Sequence, residues 1–490
     1  MSRFLTLAPL QIAQALVGFG AIAAFTRLMS PDEFGAYALA LSVSMAAHTV
    51  LFTWAEAAAF RFFATAQAGR RLSDHFATLI GIAFVLGAAT LLIVGLIVSR
   101  LGFDDEAGAI AAFAAAAATL RFFTRIARES DRAALSFTRY AAMETAYLTL
   151  GFAAGIALLV VFDLGPAAPF AGLTLGGLLI AAIDAPGLWR KARGGYATFS
   201  RAQHYAAYGA PLALALVVDL GVQAVARIVL SAQGGAAEVG AYAAAFGLAR
   251  PLDLMFMGLS TAFAPLIFSA YEEKGASEAR HIAGQAFTTL AAITLPACVG
   301  IILVAQPLTA LMVGPELAAQ AALALPALTV AGLFSGFTLY YWSEAFQLTH
   351  RTGQRALLML IPGAIQLSLT FLLARTHGAA GAALAAAAGA IAGFVALAIA
   401  GRFLIALPLP FGGLARTLAA CCSMTMGLAL LGPATDAPSL ALFVAAGGAF
   451  YVLSAIAFNV AGVRPRVSAV LQSLAAKVRT LQPTPTTDTQ

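Results

Sequence analysis

Glu33-Phe34-Gly35-Ala36-Tyr37-Ala38 and Glu238-Val239-Gly240-Ala241-Tyr242-Ala243 are two copies of one phrase, 205 positions apart in a chain of 490 residues. Both run acidic, apolar, then Gly-Ala-Tyr-Ala, and each opens a long apolar stretch. The chain holds fourteen such stretches, at about 5–26, 35–54, 76–98, 108–124, 141–162, 167–185, 208–230, 239–268, 281–304, 322–346, 356–374, 379–400, 411–432 and 438–461. Each is close to the ~20 residues that a helix needs to cross a bilayer. The phrase opens the second and the eighth, so both copies enter from the same face. That reads as two parallel six-helix repeats about an axis along the membrane normal, with two helices appended. Chance recurrence in an Ala-rich chain is the competing account, but it does not explain why both copies fall at the same place in the topology.

Composition agrees. The hydrophobic fraction is 61%, the charged fraction 10% and the mean hydropathy +0.89, where soluble domains carry roughly 25% charged residues. The fold class expected is an all-α polytopic membrane protein. It divides into a first six-helix lobe (1–190), a basic, aromatic amphipathic linker (191–207) and a second lobe (208–402). Helices 13 and 14 (403–463) and a tail (464–490) follow, the tail a short basic segment with a disordered end. The eighth stretch holds Pro251 and Pro265, which predicts a kink or tilt. The first stretch follows a single basic residue, Arg3, and is read as an uncleaved helix.

Basic residues fix the orientation expected. With the N-terminus inside, 23 of the 28 Lys and Arg fall in inner segments and three in outer ones, Arg27, Arg100 and Arg375. Arg227 and Arg250 lie within spans. The positive-inside rule then puts both termini in the cytoplasm. Topology and anionic lipid account for the net charge of +6 without a nucleic-acid partner. The sequence has no phosphate-binding glycine loop and no metal-ligand or disulfide spacing around Cys298, Cys421 and Cys422, so no cofactor is expected. No outer loop is large enough for the catalytic segment of a polymerase or glycosyltransferase, so the chain is not read as an enzyme.

Pro31-Asp32-Glu33-Phe34-Gly35-Ala36-Tyr37-Ala38, after the early Arg27, resembles the start of Wzx-type oligosaccharide flippases. These are polysaccharide transporters of the multidrug/oligosaccharidyl-lipid/polysaccharide flippase superfamily. Val239-Gly240-Ala241-Tyr242 fits the same pattern, as do Ala305-Gln306-Pro307-Leu308 and Met312-Val313-Gly314. The resemblance covers the first twelve spans. It implies a V-shaped, two-lobed transporter with a central cavity and alternating access. It also implies export of an undecaprenyl-diphosphate-linked oligosaccharide, in the company of membrane lipids, glycosyltransferases and a polysaccharide polymerase. A cation-coupled multidrug extruder and a flippase for the peptidoglycan precursor are the rival readings.

An ionisable residue at bilayer depth costs ~2.5–3.5 kcal/mol on insertion scales, so it faces a cavity or a partner. Asp219, Gln223 and Arg227 are spaced four apart and share one stripe of the seventh span. They are either a cavity wall, with Arg227 drawing an anionic head group, or an internal pair. Arg250 and Asp253 flank Pro251 in the eighth span, as cavity residues or as a salt bridge. Arg27 sits at the outer mouth, to meet a diphosphate or to pair with Asp32 or Glu33. Glu56 and His48 are the candidates for ion coupling, with pairing of Glu56 to Arg61 as the alternative. Glu144, Asp184 and Glu344 lie near inner span ends, where interfacial solvation accounts for them. The small residues of 378–393 read as close helix packing.

Overall fold

The computed structural model describes residues 2–465, without the side chains of residues 2–8, 215 and 217–219. Residues 466–490, most of the expected basic tail, lie outside the described residues. Among the described residues the secondary structure is helical throughout. A helix suits a bilayer, because it satisfies every backbone N–H and C=O within its own segment.

Helix occupies all fourteen expected span positions, and eleven helices are individually long and apolar enough to cross a membrane. One of the eleven, Thr352–Arg402, covers two expected spans. They are divided at Gly378, whose φ of 51° and ψ of −132° break the helix. The fourth expected span extends well beyond its predicted end at 124, since its helix runs to Ala133.

The chain forms two compact units, neither continuous in sequence. The first comprises residues 1–248, 312–328 and 356–392. It begins with α1 (Ser2–Leu28), α2 (Pro31–Leu51), α3 (Thr53–Arg61), α4 (Phe63–Ala68) and α5 (Leu72–Leu101). Then come α6 (Asp105–Ala133), α7 (Phe137–Phe162), α8 (Ala168–Ala192), α9 (Phe199–Gly234) and α10 (Ala236–Ala249). Local chemistry sets the starts. Ser30 and Glu33 form a capping box with Pro31 in the first turn of α2, and Asp104 caps α6 through Ala107 N. Residues 191–207 do not form one element: the last two helical residues of α8 lead through a short loop to the first turns of α9. The loop is pinned by Asp74, which accepts from Tyr196 N at 2.9 Å and from Arg201 Nη2 at 3.1 Å. Gly151 and Gly155 on α7 meet Gly172 and Gly176 on α8, and a side chain at Gly172 would collide with the α7 backbone. Small residues thus carry the closest approach, as in other membrane bundles.

The second unit comprises residues 249–311, 329–355 and, of the described residues, those from 393 onward. It contains α11 (Pro251–Lys274), α12 (Ala276–Leu303) and α13 (Ala305–Met312). The end of α14 (Pro315–Phe337), α15 (Ser343–Leu348) and the start of α16 (Thr352–Leu358) follow. The last part of α17 (Leu360–Arg402), α18 (Phe411–Ala429) and α19 (Ala437–Ala457) complete it. The eighth expected span is interrupted at Arg250, between α10 and α11, where Pro251 has no N–H to give to the ladder. A π-helical turn, Thr338–Trp342, joins α14 to α15.

Candidate functional site

Arg227 rises from α9 into a socket made by α2 and α10. One guanidinium nitrogen, Nη1, donates to Ser42 Oγ, and the guanidinium carbon lies 5.6 Å from the Tyr242 ring centre and 5.1 Å from that of Phe246. Hydroxyl and ring faces hold a cation without neutralising it. Among the described residues no carboxylate pairs with Arg227, and its Nε is buried without a hydrogen-bond partner. Gln223 lies one turn away, half-buried. The side chain of Asp219, the third member of the expected stripe, is outside the described residues. Ser42 and Phe246 were not legible as partners. Tyr242 was in plain view, since it belongs to the repeated phrase.

Glu56 on α3 is 7% exposed and takes part in a cluster rather than standing alone. Its Oε1 lies 2.9 Å from His48 Nε2 and its Oε2 lies 3.6 Å from Arg125 Nε. The expected alternative, pairing with Arg61, does not occur among these contacts. Burial alone would raise the Glu56 carboxyl. The His48 hydrogen bond and the charges of His48, Arg125 and Arg121 outweigh it and hold the carboxyl below its ordinary value.

The cluster continues along the last turns of α6. Arg121 binds Glu144 of α7, and Arg125 lies 2.6 Å from Glu129. Arg128, 1% exposed, lies 2.6 Å from Asp184 of α8 and 3.3 Å from Asp131. Arg139 adds a second contact to Asp184, at 3.0 Å. This corrects the sequence reading of Glu144 and Asp184. They are not solvated at the interface but 4% and 1% exposed and paired. The physical reason is the length of α6, which carries arginines expected in a loop inward against α3, α7 and α8. Glu344 is likewise 5% exposed, with Oε2 lacking a partner.

Arg250 and Asp253 belong to the second unit, and both are exposed. The expected pair is not formed. Asp253 Oδ1 instead accepts a long hydrogen bond from Tyr340 Oη at 3.4 Å. Arg27 closes α1 and donates from Nη1 to the carbonyls of Ala23 at 2.8 Å and Met312 at 3.1 Å. Beside it, Gly314 N donates to Thr26 Oγ1 at 2.8 Å. The Met312-Val313-Gly314 motif is therefore the seat of the α1 terminus. Asp32 and Glu33, the other partners considered for Arg27, accept from Ala237 N and complete the Ser30 capping box.

With eleven helices long and apolar enough to cross a bilayer among the described residues, the chain is a multi-pass membrane protein. The fold is similar to that of the lipid II flippase MurJ in its inward closed conformation, with a TM-score of 0.73 and 16% identity over 92% of this chain and 98% of that one. It is also similar to a multidrug resistance MATE transporter in inward-facing (TM-score 0.58, 17% identity, 81% and 94% covered) and outward-facing (0.57, 17%, 82% and 95%) conformations. No curated protein matches the chain. A family model described as polysaccharide biosynthesis protein matches residues 24–320, and the chain belongs to that family.

Proposed function

We propose that the protein moves a lipid-linked oligosaccharide, carried on undecaprenyl diphosphate, across the bacterial inner membrane for surface polysaccharide synthesis (exopolysaccharide, O-antigen or capsule). The observation that carries this reading is Arg227, a guanidinium in the seventh expected span with no carboxylate partner among the described residues. A charge kept only for packing is better paired, as Arg128 is with Asp184. The planar fork of Arg matches phosphate oxygens. Ser42 and the two rings leave N–H groups of Arg227 free to turn toward a diphosphate. Arg250 is a second cation, exposed in its own unit, and Glu56 with His48 is the candidate coupling cluster. In this reading both termini are cytoplasmic, and glycosyltransferases and a polymerase act before and after transport.

Deleting the gene tests the proposal. One surface polysaccharide should disappear, and its lipid-linked unit should accumulate on the cytoplasmic leaflet. Unchanged polysaccharide with altered drug resistance would instead favour extrusion. The likeness to MurJ over nearly the whole chain supports a second reading, transport of lipid II. Under that reading, this gene should restore growth to cells depleted of their own lipid II flippase.

A further inference from the structure

Within the second unit lies a cavity of about 890 Å³ that involves none of the residues discussed above as site candidates. One wall is a stripe of α12. Arg280, Gly284 and Thr288 recur four apart, flanked at the same spacing by His281, Gln285 and Thr289. The facing wall is the start of α18, with Pro410, Gly413 and Arg416, and the segment after α19 closes it with Asn459. These are the ends that the charge bias assigns to the cytoplasmic surface.

The lining carries two guanidinium groups and an imidazole, and no Asp or Glu among the described residues. Arg280 spends only Nε, on the Ala276 carbonyl of its own helix at 3.3 Å. Arg416 is exposed and forms no ion pair among the described residues. His281 is hydrogen-bonded to Gln285 at 2.9 Å. The start of α18 has no side-chain cap, so its first N–H groups add the positive end of a helix to the same wall. The volume suits a headgroup. Phe411, Leu418 and Phe458 are exposed on the adjoining helices, where an acyl or prenyl chain can lie.

We infer that this cavity binds the phosphate of a membrane lipid through Arg280 and Arg416. The shared chemistry is a phosphate ester tethered to hydrocarbon, either a polyprenyl diphosphate or an anionic phospholipid. Two Arg forks recognise that group, whereas a neutral headgroup would leave both charges without a partner. The inference does not depend on which molecule is transported.

The test uses full-length protein in neutral detergent. Native mass spectrometry measures retention of undecaprenyl diphosphate, phosphatidylglycerol and diacylglycerol, each with and without inorganic pyrophosphate. The Arg280→Gln, Arg416→Gln double variant should lose at least tenfold in affinity for the phosphate-bearing lipids, with the unfolding temperature and diacylglycerol binding unchanged. The Lys double variant should keep part of the binding. Preference between the two phosphate-bearing lipids identifies the source. If the Gln variant fails to accumulate, Gln285→Trp, at an exposed wall position, should block the cavity by bulk and give the same loss. Equal binding by the folded double variant, or by Gln285→Trp where that stands in for it, overturns the inference. So does equal retention of diacylglycerol, or pyrophosphate binding as tight as that of either lipid.

Discussion

Gly35 and Gly240 pack against each other, which makes the repeated phrase the contact between its own two copies. A Cβ built on Gly240 would lie 3.3 Å from Gly35 N and 3.1 Å from the Pro31 carbonyl oxygen, and one on Gly35 would collide with the Ala236 carbonyl. Asp32 Oδ1 accepts from Ala237 N at 3.1 Å across the same contact. The equivalent glutamates reach equivalent places. A Cβ on Gly165 would lie 3.2 Å from Glu33 Oε1, and Gly378 abuts Glu238, whose Oε2 accepts from Ala379 N at 2.6 Å. Both of these glycines have positive φ, at 47° and 51°.

Substitutions at this contact should therefore grade by distance. Gly35→Val forces backbone apart and should cost about 1–3 kcal/mol or more, as overpacking does. Gly240→Ala meets atoms at 3.1–3.3 Å, so a shift of a few tenths of an ångström accommodates it, and the cost should be smaller. Thermal unfolding of the purified variants measures both. Equal midpoints for Gly35→Val and the parent protein would contradict the packing described.

The Arg128–Asp184 pair should behave as a buried structural ion pair. Arg128→Met alone leaves Asp184 with its contact to Arg139, and breaking such pairs costs about 3–5 kcal/mol. Asp184→Leu alone strands Arg128 beside Asp131. The double replacement should recover much of the loss, because two charges no longer need solvation. Membrane-inserted abundance of the two single variants and the double variant provides the cycle. Additive losses would show that the two residues act independently.

That network marks the limit of what the sequence discloses. Spans, repeat and family resemblance were legible because apolar length and the Gly-Ala-Tyr-Ala phrase are local signals. Arg128 and Asp184 are 56 positions apart, and Arg121 and Glu144 are 23 apart. Helical spacing finds partners only three or four residues away. The same limit hid Ser42, 185 positions from Arg227. Arg250 and Asp253 show the converse: spacing brought them together on paper, but both are exposed and Asp253 accepts from Tyr340 instead.

Glu56 predicts an acid dependence. Its carboxyl is held below the ordinary value of 4.5, so the folded state binds the proton less tightly than the unfolded state does. The stabilisation is fully present above about pH 4.5 and is lost as pH falls through the lowered folded value. Glu56→Gln should lower the unfolding temperature near neutrality and flatten its fall in acid. An identical acid profile in the variant would mean that other carboxylates set the dependence.

Arg227 decides between cavity and packing. If it meets a diphosphate, Arg227→Gln removes a charge-assisted hydrogen bond of about 1.5–3 kcal/mol, a loss of roughly 10- to 100-fold in transport. Protein abundance should stay near normal, because the Ser42 hydroxyl keeps its hydrogen bond to the Ala38 carbonyl. Arg227→Lys should keep part of the activity as a point charge without the planar fork. If the side chain only packs between Ser42, Tyr242 and Phe246, Gln should lower abundance and export together, and Ser42→Ala should do the same. Arg250→Gln, exposed in the second unit, should leave abundance unchanged in either case. Surface polysaccharide measured against membrane-inserted protein separates the outcomes. Full export by the Arg227→Gln, Arg250→Gln double variant would remove both residues from the transport path.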